Sequence, residues 1–358
     1  MRTSWSVYTV GAVLSVLIVL LMTLAPEKRY SPLSPENDLE AWTRERIATL
    51  GGEVAYEEFR AWAHTLNDNS VEGHNAAHVF GRELYEIEGL SSFTICDSDL
   101  SYGCMHEFTG QAIVQHGTEI VAHLVSLCGR EHGEYALSCY HGIGHGVQSF
   151  LGYEEGDLKK ALEVCSSSVK TPIVGSGCHG GAFMEWNLKT ILGGDAVVRK
   201  GEDLYYPCNA LEDEYVPTCV FRQSQWWRNV LTSFSVENKY GEMGGLCRRF
   251  TEETLYSDTR EHHYACFLGI GHNASSEVNH DADIIFDLCR EASTTDLELL
   301  ICLSGASGRT GADESLAKAL RMCEHFNGIE YDYCTAFARE DVETLAELQP
   351  RIVGIREF

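Results

Sequence analysis

The chain has 358 residues, 53 of them acidic and 27 basic, for a formal charge of −26. A surplus of that size repels nucleic acid and anionic membrane surfaces, so polyanionic partners are excluded. The acidic residues are spread along the chain rather than gathered in a tail, as on a solvated surface.

The first predicted element is an apolar run from Ser4 to Ala25, ended by Pro26, Glu27, Lys28 and Arg29. It is long enough to cross a bilayer and is read as an uncleaved signal anchor; its Thr23-Leu24-Ala25 end also has the small-x-small form of a processing site. Tyr30 to Asn37, with two prolines, reads as a stalk. The expected organisation is a transmembrane anchor over 1–25, stalk and linker over 26–50, a helical domain over 51–345 and a C-terminal tail over 346–358.

Fourteen cysteines punctuate that domain. The pairs Cys96/Cys104, Cys128/Cys139, Cys165/Cys178, Cys208/Cys219, Cys247/Cys266, Cys289/Cys302 and Cys323/Cys334 enclose 7 to 18 residues, whereas the stretches between pairs run from 20 to 29. Two gap classes that never overlap indicate one motif written about seven or eight times. An even number of cysteines without any C-x-x-C spacing fits a disulfide framework, which places the body outside the cytoplasm, in a periplasmic, extracellular or luminal space.

Each long gap reads as a helical hairpin. Between Cys139 and Cys165 one segment reaches a turn at Gly152 to Gly156, and an amphipathic helix with Leu158, Ala161, Leu162 and Val164 follows. The segment from Cys302 repeats the plan with Leu316, Ala319, Leu320 and Met322. Alternating β patterns are lacking, so the fold class is all-α: tandem helical hairpins in an α/α superhelix or toroid, stapled by local disulfides. Each short pair is expected to join the end of one hairpin to the start of the next.

The chemistry sits just after the second cysteine of each pair. Glycine recurs at the third position beyond it, as Gly142, Gly181, Gly269 and Gly305, although each mid-helix glycine costs about 1 kcal/mol relative to alanine. Close backbone packing or room for a bound group would offset that cost. Histidine recurs in phase as well: His106 and His141 at plus two, His145 and His272 at plus six, and His179 at plus one. A unit without cysteine precedes the first pair and places His74 and His78 in the phase of His141 and His145 if Glu72 stands at the cysteine position.

Histidines four apart share one helix face, the geometry by which two imidazoles hold one metal ion. His74, His78, His106, His141, His145, His179 and His272 are therefore candidate ligands around one cavity, for one ion or two. Glu107 and Glu185 are candidate ligands or catalytic bases acting on a metal-bound water. Imidazole without thiolate suits copper or zinc first, and iron as well. Repetition also duplicates structural residues, but the units at Cys219 and Cys302 keep the framework without histidine, so the fold does not require it.

Other residues carry less. Trp186, Trp226 and Trp227 read as core or rim; Arg222 and Gln223 could reach an anionic group, with a surface salt bridge the preferred reading; His262 and His263 read as solvated loop residues, and Asn273-Ala-Ser275 as a glycosylation acceptor. Nucleophile elbow, Walker loop and dinucleotide fingerprint are all missing from the sequence.

The stapled hairpins resemble the cysteine-rich Sel1-like repeats in general architecture, with different consensus residues. The triplet Cys178-His179-Gly180 is similar to the Cys-His-Gly motif of lanthionine-synthetase-like toroids, in which cysteine and histidine bind zinc. Two functional readings follow. The first is a membrane-anchored, extracytoplasmic metalloprotein, with or without enzymatic activity. The second is an interaction scaffold, or an accessory subunit of a membrane complex, in which the His and Gly motifs serve helix packing.

Overall fold

The computed structural model describes residues 34–352 and 354, apart from 67–69, 134–135, 155, 169–173, 193–202 and 254–258. The predicted anchor over Ser4–Ala25 and the first part of the stalk lie outside the described residues. Among those described, no helix is long and apolar enough to cross a membrane.

The described residues form sixteen α-helices and no strand. In chain order these are α1 (Leu39–Leu50), α2 (Gly52–Ala63), α3 (Ser70–Glu88), α4 (Gly103–His116), α5 (Val121–Glu131), α6 (Ala136–Leu151), α7 (Asp157–Ser168) and α8 (Gly177–Leu192). There follow α9 (Val216–Ser233), α10 (Lys239–Glu253), α11 (Thr259–Glu277), α12 (Ala282–Ala292), α13 (Asp296–Asp313), α14 (Leu316–Cys323), α15 (Ile329–Ala338) and α16 (Val342–Ile352). Side-chain caps start several of them: Asp281 accepts from Asp283 N and Ile284 N ahead of α12, Thr295 from Glu298 N ahead of α13, and Ser315 from Lys318 N ahead of α14.

Two helices reach into segments read above as linker and tail. In α1, Trp42 and Ile47 are buried, and Arg44 pairs with the fully buried Glu83 of α3. In α16, which runs past residue 345, Leu345 and Leu348 are buried. Both helices cover apolar surface that hairpins at the ends of the domain would otherwise expose.

Helices α3, α4, α6, α8, α9, α11, α13 and α15 form one stacked series, each packed on the next. Helices α7, α10, α12 and α14 pack on the member that precedes them in sequence, and α10, α12 and α14 also pack successively on one another. The 3-10 turn Asp99–Tyr102 touches both α6 and α13, so the far part of the series comes back to the beginning of the chain.

All fourteen cysteines are paired as the spacing predicts. Cys128, Cys165, Cys247, Cys289 and Cys323 lie on α5, α7, α10, α12 and α14, and each is bonded to a cysteine on the next helix of the stacked series. Two pairs depart from that plan, because Cys96 lies in a loop and Cys208 in a 3-10 turn. Seven disulfides fit an oxidising, extracytoplasmic compartment.

The recurrent glycines serve close packing. A Cβ on Gly142 would stand 3.0 Å from His106 Cα, on Gly181 1.9 Å from His141 O, on Gly269 2.2 Å from Phe221 O and on Gly305 2.1 Å from Leu268 O. In every case the contact is the residue two beyond the cysteine of the preceding helix. The same register recurs along the stack, and no larger side chain fits in it.

Candidate metal centre

That register sets the level of each histidine. In the stack, plus three of one helix faces plus two of the helix before it. A Cβ on Gly103, four residues short of plus three, would stand 2.5 Å from His74 O. His74 therefore lies one turn before the level of His106 and His141, and His78 shares that level. The predicted phase for this pair is off by one helical turn, because α3 has no cysteine to mark its position.

Three successive helices, α3, α4 and α6, bring five imidazoles together. The rings of His74 and His78 are 4.6 Å apart between centroids, and those of His141 and His145 are 4.9 Å apart. His106 stands between the pairs, at 5.6 and 5.8 Å from the first and 5.5 and 5.3 Å from the second. His74, His78 and His106 each place a ring nitrogen within 4.8 Å of the other two, a group that could hold a metal ion.

The hydrogen bonds fix which nitrogens are available. His74 Nδ1 lies 3.0 Å from Leu100 O and His78 Nδ1 lies 3.3 Å from Glu107 Oε2, so both Nδ1–H groups have acceptors. The two Nε2 atoms then face each other with their lone pairs at 3.0 Å. Two ligands at about 2.0–2.1 Å from one zinc ion stand roughly 3.3 Å apart in a tetrahedral arrangement. The second pair is similar: His145 Nδ1 is 3.0 Å from Glu185 Oε2, and its Nε2 is 3.2 Å from His141 Nε2. Like the ring nitrogens of the first pair, these suit a cation between them.

Glu107 and Glu185 come from the helix that follows each His pair. Gln111 Nε2 donates to the other oxygen of Glu107 at 2.9 Å, and the Tyr153 hydroxyl donates to the other oxygen of Glu185. Burial acts to raise both carboxyl pKa values, but the hydrogen bonds from His78 and Gln111, and from His145 and Tyr153, bring them below the ordinary value. Both stay ionised and hold the imidazoles in one tautomer, the arrangement that raises ligand basicity in metal sites. Nothing in residue identity or spacing marks Gln111 or Tyr153 for this role.

Burial lowers the imidazoles themselves. His74 falls to about 3, through burial first and the adjacent His78 second. His106 and His141 lie well below the ordinary value, again through burial first, with His145 adding for the former and Arg222 for the latter. Neutral imidazole is the ligating form, so these rings need shed no proton near neutral pH.

The carbonyl that orients His74 sits in a strained turn. Leu100, Ser101 and Tyr102 have φ of 52°, 53° and 62°, three successive non-glycine residues in the left-handed region. Such a conformation costs of order 1–3 kcal/mol per residue and recurs at functional sites. Here it turns Leu100 O onto the His74 ring.

Two predicted ligands make other contacts. His179 Nε2 is 3.0 Å from Ser166 Oγ and 3.2 Å from Leu162 O, with its ring on Tyr215. Plus one points toward α7 rather than along the face that carries plus two and plus six. Cys178 is bonded to Cys165, so the Cys-His-Gly triplet has no free thiolate for zinc. His272 packs its ring against Phe221, at 5.1 Å, and lies within electrostatic reach of His141 and Arg222.

Three further expectations are corrected. Arg222 is 8% exposed and makes no surface salt bridge; its Nε donates to Gly175 O at 2.9 Å. His262 and His263 lie in α11 rather than in a loop, the first buried and 3.0 Å from Asp213, the second half-buried and 3.1 Å from Glu298. Asn273 is also within α11, 7% exposed, and donates to Ser224 Oγ and Gly269 O, so the folded chain does not present it to a glycosyltransferase. Trp186, Trp226 and Trp227 are buried, as core residues should be.

No protein-family model, curated protein or solved structure matches this chain.

Proposed function

We propose that the chain is an extracytoplasmic metalloprotein, anchored to the membrane by Ser4–Ala25, which holds a transition-metal ion through His74, His78, His106, His141 and His145. The observation that carries this reading is the pair of Nε2 atoms at 3.0 Å on rings whose Nδ1–H groups already donate to Leu100 O and Glu107 Oε2. Two lone pairs so placed repel each other unless a cation lies between them. The matching His141/His145 pair with Glu185 supports a site for one ion or for two neighbours. Copper and zinc suit this nitrogen-rich set ahead of iron.

The stacked series would be the inner wall of a toroid of helical hairpins. Its support is the contact of α13 with the turn Asp99–Tyr102, which an open rod would not make. The bound ion would supply Lewis-acid or electron-transfer chemistry. The chain's own groups do the rest: five imidazoles ligate, Glu107, Glu185 and Leu100 O orient them, and the helices α3, α4 and α6 bury His106 and His141. With their oxygens on imidazoles, the two glutamates act as positioning residues rather than bases.

The test is elemental mass spectrometry of the chain from Tyr30 onward, produced untagged in an oxidising compartment. Near-stoichiometric metal that is lost in His74→Ala/His78→Ala, with the helical fold retained, is the expected result. Metal-free protein that also refuses added copper, zinc and iron would sink the reading and favour the interaction scaffold.

A further inference from the structure

Beside the five imidazoles lies a buried guanidinium, that of Arg222, which no carboxylate among the described residues contacts. Arg222, on α9, is 8% exposed. Its Nε and Nη2 both donate to Gly175 O, and Nη1 lies 3.5 Å from Met184 Sδ. Among the described residues it meets no carboxylate. A guanidinium has five N–H groups, so these contacts leave two without an oxygen or sulfur acceptor. A buried charge in that condition calls for a counter-ion.

The guanidinium is next to the metal centre. Gly175 O, its acceptor, would stand 2.2 Å from a Cβ on Gly180, and His141 Nδ1 would stand 3.4 Å from the same point. Arg222 and the ligand His141 thus flank one glycine. Arg309, on α13, lies within electrostatic reach of Arg222, His74, His141 and His272. Two arginines, on the fifth and seventh helices of the stack, therefore act on the same buried imidazoles. The carboxylates nearest to the imidazoles, Glu107 and Glu185, are already held by His78 and His145.

We infer that Arg222, with Arg309, forms a binding site for a small oxyanion, a carboxylate or phosphate group, placed to reach the metal held by His141 and its neighbours. The planar fork of an arginine matches two oxygens of such a group, and a cation beyond it takes the same or a third oxygen. The anion supplies the charge that the buried guanidinium lacks. This deepens the metalloprotein reading and rests on it for the second point of attachment, whereas the arginine contact stands without the ion.

The experiment is isothermal titration of inorganic phosphate, and separately of acetate, into the full chain in metal-free and metal-loaded forms. The parent should bind at least one of these anions in both forms, more tightly when loaded. Arg222→Gln should weaken binding at least tenfold while metal content is unchanged, and Arg222→Lys, which keeps the charge but loses the fork, should fall between. Arg309→Gln supplies the same comparison if Arg222→Gln fails to fold. Binding that depends on arginine in a chain that takes up no metal would uphold the anion site and remove only the metal reading. A metal-loaded parent that binds neither anion at 10 mM, or variants that bind as the parent does, would overturn the proposal.

Discussion

The crossing of α4 over α6 gives two alanine substitutions that should act in opposite directions. Gly110 and Gly146 face each other there. A Cβ on Gly146 would stand 2.8 Å from both Gly110 Cα and Ile113 Cδ1, whereas a Cβ on Gly110 finds nothing nearer than 3.9 Å. Both residues are inside helices, so alanine contributes up to about 1 kcal/mol of intrinsic propensity at either. At Gly110 that gain is unopposed, and Gly110→Ala should be more stable by about 0.5–1 kcal/mol. At Gly146 the methyl group overpacks a crossing made partly of backbone, which typically costs about 1–3 kcal/mol, so Gly146→Ala should be less stable by about 1–2 kcal/mol. Gly181→Ala, 1.9 Å from a carbonyl oxygen that cannot rotate away, should lie at or beyond the top of that range. Urea unfolding of the oxidised, metal-free chain, followed by far-ultraviolet circular dichroism and compared at a common slope, measures all three. If Gly146→Ala is as stable as the parent, or if the two facing variants shift together, the stack does not have the spacing described.

Further outcomes are expected. Glu107→Gln and Glu185→Gln should each lower metal affinity by about 10- to 100-fold in a chelator competition, with stoichiometry unchanged, because the imidazoles lose the group that orients them. In the metal-free chain, His74, His106, His141 and His272 have pKa values lowered chiefly by burial, so the unfolded chain takes up protons first as pH falls through about 6.5. Stability should therefore drop between pH 6.5 and 5.5 by about 1 kcal/mol for each ring, and a urea midpoint that does not move would contradict their burial in the neutral form. Replacing Cys165 and Cys178 together by alanine should cost about 3 kcal/mol, the loop-closure value for a separation of 13 residues, read from the same unfolding curves. Peptide mass analysis after secretion from a glycosylating host should find Asn273 unmodified.

The framework was legible because cysteine is a positional marker. Once Cys139 and Cys178 fix where helices begin, glycine at plus three and histidine at plus two fall into line. Where no cysteine marks the start, as in α3, pattern alone left His74 and His78 one turn out of register. His262 and His263 were placed in a loop because the cysteine was taken as the helix start, yet α11 begins at Thr259, before Cys266. The partners of His262 and His263, Asp213 and Glu298, are distant in sequence. Arg222 was misread for a related reason: its acceptor is a backbone carbonyl 47 residues away, which leaves no trace in residue identity. The turn at Leu100 to Tyr102 was hidden too, since none of its residues is a glycine or asparagine that would announce a left-handed backbone.

Fourteen cysteines admit on the order of 10⁵ complete pairings, yet here each is bonded to the very next one in its pair, never across another bridge. A chain threaded from its N-terminus into an oxidising space would present both members of each bridge before the next bridge's first cysteine emerges. Oxidation can thus proceed in the order of translocation, with each closed bridge withdrawing two thiols from competition. Isomerase-catalysed reshuffling, which nested or crossed bridges demand, would have little to correct in this chain.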